Sequence, residues 1–223
     1  MEIHAIITGS TGMVGKGVLF ECLQNPVVKS VLVINRQSVG VTHPKLREII
    51  HTDFHDFSAI ESELRGYHAC FFCLGISAAG LSEAAYRHIT YDMTLQLAQT
   101  LLRTSPQLTF CYVSGAGTDH TLKSRLMWAR VKGETENALL ELPFRDCYLF
   151  RPAFIQPMDG IRSRTPLYNG LYAVLKPFYP LLKNFPQYVT SSQRLAKAMV
   201  KIVGQGYEQS RLESADINLL ADR

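Results

Sequence analysis

The sequence predicts an α/β fold, a doubly wound parallel sheet carrying a small C-terminal substrate cap. Three observations predict it. Short apolar runs rich in Val, Ile, Phe and Tyr alternate with longer segments of helical character, as in βαβ units. Those runs are near-continuous, which suits strands buried on both faces of a sheet. The chain has 223 residues, 47% hydrophobic and 19% charged, enough to fill one domain and too apolar for disorder.

Six strands are expected at Ile3 to Thr8, Ser30 to Asn35, Arg47 to His51, Ala69 to Leu74, Leu108 to Ser114 and Asp146 to Phe150. Helices are expected between them, near Met13 to Gln24, Phe57 to Leu64, Leu81 to Arg103 and Leu122 to Leu142. After Arg151 six of the ten prolines break the chain into short pieces, so residues 1–155 read as the core and residues 156–223 as a cap within the same domain. Thr190-Ser191-Ser192 can cap a helix through Leu195 to Val203. The tail from Asp216 to Leu220 is expected to return as a last strand.

The first strand runs into a glycine-rich turn, IHAIITGSTGMVGKGVLF, with Gly9, Gly12 and Gly15 in G-x-x-G-x-x-G spacing between strand and helix. Each glycine has a physical role in a dinucleotide-binding Rossmann fold: Gly9 for the tight turn, Gly12 for close approach of a pyrophosphate, Gly15 for close packing of helix on sheet. The phosphate then meets the N–H groups of Met13, Val14 and their neighbours at the positive end of the helix dipole. Ser10 and Thr11 add hydroxyl donors. No Gly-Lys-Ser or Gly-Lys-Thr follows, which argues against a P-loop and nucleoside triphosphate hydrolysis.

The second strand ends at Asn35-Arg36, where a chain preferring NAD usually places an acidic residue for the ribose 2′-hydroxyl. Arg36 suits a 2′-phosphate, so NADP is the expected cofactor, with NAD the alternative. Asp53-Phe54, after the third strand, is expected near the adenine edge.

These residues, together with Leu74-Gly75 at a strand end, Val113-Ser114 and Lys132, resemble the short-chain dehydrogenase/reductase superfamily, in its atypical epimerase-like or NAD(P)H-binding branch. The resemblance covers roughly the first 155 residues. It implies a Ser at the end of strand five, matched by Ser114, and a Tyr four residues before a Lys on the following helix. That Lys, matched by Lys132, binds the nicotinamide ribose and lowers the Tyr pKa, so that the Tyr can pass a proton while hydride moves. The Tyr position is Trp128, the only Trp in the chain. An indole N–H donates a hydrogen bond but does not exchange a proton near neutral pH.

Three readings stay open: another hydroxyl, from Tyr86, Tyr91 or Tyr112, supplies the proton; water or the substrate supplies it; or the protein binds NADP(H) without turnover, as a sensor or regulator. A membrane-associated assembly factor built on the same scaffold is a further option. The segment containing Pro152, Ala153 and Phe154 resembles the family's turn beneath the nicotinamide, and its backbone is expected to meet the carboxamide. The resemblance also implies that a homodimer is common. The leading expectation is an NADP(H)-dependent oxidoreductase or epimerase-like enzyme acting on a small carbonyl or hydroxyl compound, with the sensor or regulatory protein as the alternative. If Leu167 to Leu182 lines its pocket, that substrate is largely apolar.

Other signals are weaker. A balance of 23 basic against 19 acidic residues, without a basic run, gives no nucleic-acid footprint. No apolar run reaches the length of a membrane span, and the N-terminus lacks the pattern of a signal peptide. Five cysteines, mostly within apolar stretches, read as free thiols in a reducing cytoplasm. Cys70-Phe71-Phe72-Cys73 has redox spacing but lies in a strand, away from the helix N-terminus such a pair needs. His51, Asp53 and His55 stand two apart, the spacing of zinc ligands on one strand face. They fall at a strand end already used by the cofactor reading, and no metal is expected.

Overall fold

The computed structural model describes residues 2–157 and 186–223. In chain order its elements are β1 (Ile3–Thr8), α1 (Met13–Gln24), β2 (Val28–Asn35), β3 (Leu46–Ile50), a 3-10 helix (Ser58–Leu64), β4 (Ala69–Phe72), α2 (Glu83–Arg87), a π-helical turn (His88–Asp92), α3 (Met93–Thr104) and β5 (Thr109–Val113). There follow α4 (Met127–Glu141), β6 (Asp146–Arg151), β7 (Phe154–Gln156), β8 (Val189–Ser191), α5 (Ser192–Gln205), β9 (Arg211–Glu213) and α6 (Ser214–Asp222). Among the described residues seven parallel strands form the central sheet, in the order β3-β2-β1-β4-β5-β6-β9. This is the doubly wound parallel fold that the sequence predicts.

The near-continuous apolar runs divide between two cores, one on each face of the sheet. Ile3, Ala5 and Ile7 of β1, with Val31 and Val33 of β2, pack on the face covered by α1, α5 and α6. Ile6, Leu32 and Ile34 turn to the other face, where α3 and α4 contribute Leu97, Leu101 and Leu139. Alternate residues of one strand thus serve opposite cores, so every position is apolar. Helices α1 and α5 meet at Gly17, where a Cβ would lie 3.2 Å from Ser192 O, so a small residue is what lets them approach. The described residues after 186 therefore build onto the sheet sandwich itself.

Three local expectations change. The tail is a helix: Glu213 and Asp216 form a reciprocal capping box, and Ile217, Leu220 and Ala221 are buried at helical spacing. The returning strand is instead Arg211–Glu213, paired with β6. The single helix expected over Leu81 to Arg103 is interrupted by the π-helical turn at His88–Asp92, where the Thr94 hydroxyl donates to Thr90 O at 2.5 Å. Strand β6 continues one residue further than expected, to Arg151, which is buried because it meets a buried carboxylate. The apolar segment Leu167 to Leu182 lies outside the described residues.

Candidate functional site

Strand order reverses between β1 and β4, so the carboxyl ends of these two strands open a crevice, the usual ligand position in a doubly wound sheet. Gly9 leaves β1 at φ +70°, and a Cβ there would lie 2.6 Å from Cys73 O at the end of β4. The turn closes by a hydrogen bond from Gly12 N–H to Gly9 O at 2.9 Å. Gly12 is the N-cap of α1 and brings no side-chain cap, and the first helical turn carries no acidic residue. The N–H groups of Met13, Val14 and Gly15 are therefore free of side-chain caps, an arrangement that fits a phosphate. A Cβ on Gly15 would overlap the Gly9 carbonyl, so the third glycine is fixed by the contact between helix and turn.

A cleft of about 420 Å³ opens over this turn. Of the expected cofactor residues it brings together Gly9, Thr11, Gly12, Arg36, Phe54, Leu74 and Gly75. Gly75 faces open space, since a Cβ there would meet nothing within 4 Å. Two expected residues have other work. Ser10 is buried, its Oγ accepting from Asn35 Nδ2 at 2.7 Å, which ties the glycine turn to the end of β2. Asp53 is exposed, its carboxylate accepts from His55 N–H at 2.8 Å, and its neighbours Thr52 and Phe54 line the cleft instead.

Ile89 and Met93, also in the lining, are residues that the sequence did not flag. Ile89 lies within the π-helical turn and Met93 directly follows it, and that turn left no periodicity signal to find. His51 lies beyond the end of β3 and its Nε2 meets Asp56 O at 2.8 Å, while the His55 ring stacks on His88 at 4.0 Å. The ligand-type trio is thus spread over a turn, not one strand face. All five cysteines are free thiols, and burial pushes the Cys73 thiol up to about 12.

Ser114, Trp128, Lys132, Pro152, Ala153 and Phe154 form a second group at the carboxyl ends of β5 and β6, outside the lining of the cleft. Ser114 is 4% exposed, and its hydroxyl donates to Glu136 Oε1 at 2.6 Å. Glu136 is fully buried on α4, one turn beyond Lys132. Arg151 Nε donates to the same carboxylate at 2.9 Å, a second Arg151 nitrogen donates to its other oxygen, and Arg211 Nε reaches it at 3.4 Å. A carboxylate with no access to water requires such partners. The sequence did not single out this network, because Glu136 reads there as one more charge in a polar helix.

Lys132 Nζ donates to the Ser114 carbonyl. Desolvation pushes its pKa down to about 8, against the opposing pull of Glu136. One turn earlier, half-buried Trp128 packs over the turn from Gly115 to Gly117, its ring carbon Cη2 3.3 Å from where a Gly117 Cβ would stand. Both glycines have positive φ, +116° and +83°. Of the candidate hydroxyls, Tyr86 and Tyr112 are each 2% exposed, and burial pushes the Tyr112 phenol far up. Tyr91 is half-buried under Arg87, whose guanidinium lies 4.1 Å from its ring centre. In the turn after β6, Pro152 O accepts from Ala116 N–H, Ala153 N–H donates to Ser214 Oγ at 2.9 Å and Phe154 N–H donates to Tyr188 O.

A sequence profile of the NAD dependent epimerase/dehydratase family matches residues 5–122, more than half of the chain. The chain belongs to the NAD dependent epimerase/dehydratase family. Among curated relatives, the mitochondrial protein fmp52 of Emericella nidulans is 30% identical over 68% of this chain and 66% of its own length. The mitochondrial protein FMP52 of Chaetomium globosum is 26% identical over 95% of this chain and 94% of its own. Among solved structures, the Bordetella bronchiseptica enzyme WbmF in complex with NAD+ superposes with a TM-score of 0.68 at 16% identity, covering 99% of this chain and 78% of that one. At that identity the likeness speaks for the fold alone.

The relatives overturn the expectation of a cytoplasmic location, since both are named as mitochondrial proteins. Free thiols identify a reducing environment, not a particular compartment. Among the described residues no helix is long and apolar enough to cross a membrane.

Proposed function

We propose that this chain binds NADP(H) in the cleft over the glycine turn and holds it without the tyrosine-dependent proton transfer of the related dehydrogenases, in a sensing or regulatory role. A nicotinamide, when bound, would bring a transferable hydride, which this reading leaves unused. The chain's own residues divide the remaining work. The uncapped start of α1 receives the pyrophosphate, Arg36 faces the ribose 2′-phosphate, and Thr52 and Phe54 border the adenine. Lys132 addresses the nicotinamide ribose.

Two observations together carry this reading: the Ser114 hydroxyl is engaged by Glu136, and Trp128 stands at the tyrosine position. The Ser114 hydroxyl donates a hydrogen bond to a buried carboxylate, and the indole at the tyrosine position does not exchange its proton near neutral pH. Burial of Tyr86 and Tyr112 withdraws two of the three substitute donors. A second reading, an oxidoreductase or epimerase-like enzyme acting on a small apolar carbonyl or hydroxyl compound, is favoured by Lys132. Its ammonium, with a pKa near 8, can give up a proton close to neutral pH.

Trp128→Tyr distinguishes the two. Purified protein is incubated with NADPH and a panel of aldehydes and ketones, and absorbance of the reduced nicotinamide is followed. The sensing role predicts a flat trace for the unaltered chain and turnover only after Trp128→Tyr. Turnover by the unaltered chain that disappears in Lys132→Met establishes the second reading.

A further inference from the structure

We propose that the stacked rings of His55 and His88 form a pH-sensitive latch between two parts of the cleft wall, closed at neutral pH and released in acid. This rests on the reading of the cleft as a cofactor site and adds its regulation. His55 sits in the loop after β3, one residue beyond Phe54, and both Thr52 and Phe54 line the cleft. His88 opens the π-helical turn, whose Ile89 lines the same cleft, as does Met93 just after it. The two ring centres are 4.0 Å apart and the rings lie 14° from parallel. This one contact thus ties the loop after β3 to the π-helical turn.

Burial and charge give the two rings different parts. His88 is exposed, and Asp92 Oδ2, 3.1 Å from its Nδ1, pairs with its cationic form. His55 is half-buried, and its Nε2 is shut off from solvent without a hydrogen-bond partner. A proton placed there is a donor with no acceptor. The neighbouring charges are engaged elsewhere. Asp53 accepts from the His55 backbone N–H at 2.8 Å, Asp56 accepts from Ser58 N–H at 2.8 Å, and His51 Nε2 meets Asp56 O. On the helical side Asp92 is shared with Arg87, which also pairs with Glu134 of α4. A second proton on the pair therefore puts like charges on two parallel rings and leaves the one on His55 without a counter-charge. Separation of the rings relieves both costs, so acid frees the loop from the π-helical turn. Cofactor affinity then falls in proportion to the closed fraction.

Calorimetric titration of the full chain with NADP+ at about pH 7.5 and about pH 5.5 tests the latch, using unaltered protein, His55→Phe and His55→Leu, each checked for folding by circular dichroism at both pH values. The phosphates of NADP+ titrate alike with all three proteins, so the difference between them isolates the histidine. Affinity of the unaltered chain is expected to fall about tenfold more between the two pH values than that of either variant, neither of which can take up the proton. Parallel profiles overturn the latch while the NADP(H) reading stands. Hydrogen exchange of the cofactor-free chain, corrected for the intrinsic pH dependence of amide exchange, gives a second readout. Residues 51–57 should exchange about tenfold faster in acid in the unaltered chain and not in His55→Phe. If NADP+ binds at neither pH, the NADP(H) reading fails and this exchange decides the latch alone: faster exchange upholds it, and equal exchange in both proteins overturns it.

Discussion

The two ends of the site are built on opposite plans. At the carboxyl ends of β1 and β4 the chain is stripped bare: three glycines, an uncapped helix start and an open cleft leave polar groups that await a partner. At the ends of β5 and β6 the polar groups have partners already, since Ser114, Arg151 and Arg211 all converge on buried Glu136. The difference teaches that one fold can leave polar groups open at one end of its sheet while those at the other are absorbed into structure. Unsatisfied groups at a surface invite a ligand, whereas satisfied buried ones resist change.

The comparison breaks most visibly at Glu136. Glu136→Ala strands the buried Arg151 charge and is expected to cost about 3–5 kcal/mol, with a fall in Tm on the order of 10 °C. Thermal unfolding checks it, and a change within about 1 kcal/mol would show that the carboxylate is not a structural anchor. At the other end, Gly15→Ala forces a methyl against the Gly9 carbonyl. A smaller loss of about 1–3 kcal/mol is expected, together with a loss of NADPH affinity of about tenfold or more, because the displaced turn is where the phosphate is proposed to bind. Binding that survives while stability falls would place the phosphate elsewhere.

Lys132 gives a prediction of sign. Its folded pKa, about 8, lies below the ordinary lysine value of 10.5, so between these two pH values the unfolded chain binds the proton more fully than the folded one. Its contribution to stability therefore rises as pH increases from about 8 toward 10.5, and its penalty is fully present below that window. Burial of Cys73, raised from 9.0 to about 12, acts in the opposite sense at the alkaline end. The difference between unaltered protein and Lys132→Met isolates the lysine: denaturant midpoints should converge as pH rises from 8 to 10. Parallel curves would contradict the desolvated ammonium.

The smallest effect is local. Asp119 accepts from Thr121 Oγ1 at 2.6 Å and from the N–H groups of Thr121, Lys123 and Ser124, contacts that hold its pKa down to about 2. Lowering the pH from 3.8 toward 2 should release these amides first, measurable as faster hydrogen exchange at Thr121 to Ser124, with Asp119→Ala producing the same loosening at pH 7.

Much of the binding end was legible because its signals are local. The G-x-x-G-x-x-G spacing, the strand before it and Arg36 after the second strand all lie within forty residues and obey simple backbone rules. Ile89 and Met93 escaped because a π-helical turn re-aims them, and nothing in a 3.6-residue period announces it. Ser10 was read as a phosphate donor because its partner Asn35 stands 25 residues away, on another strand. The Glu136 network joins α4 to β5, β6 and β9, contacts that exist only once the sheet has formed. Trp128 was legible as a departure, but its packing over Gly117 required the turn between β5 and α4.

The central claim, an intact cofactor end beside an altered proton-transfer end, is tested most directly by the emission of Trp128, the only Trp in the chain. Titration with NADPH should quench that emission saturably, with energy transfer to the reduced nicotinamide, and NADH should require at least about tenfold higher concentration. The bound NADPH should then persist without oxidation in the presence of carbonyl compounds. Unchanged Trp128 emission with both cofactors, or steady NADPH consumption by the unaltered chain, would contradict the account.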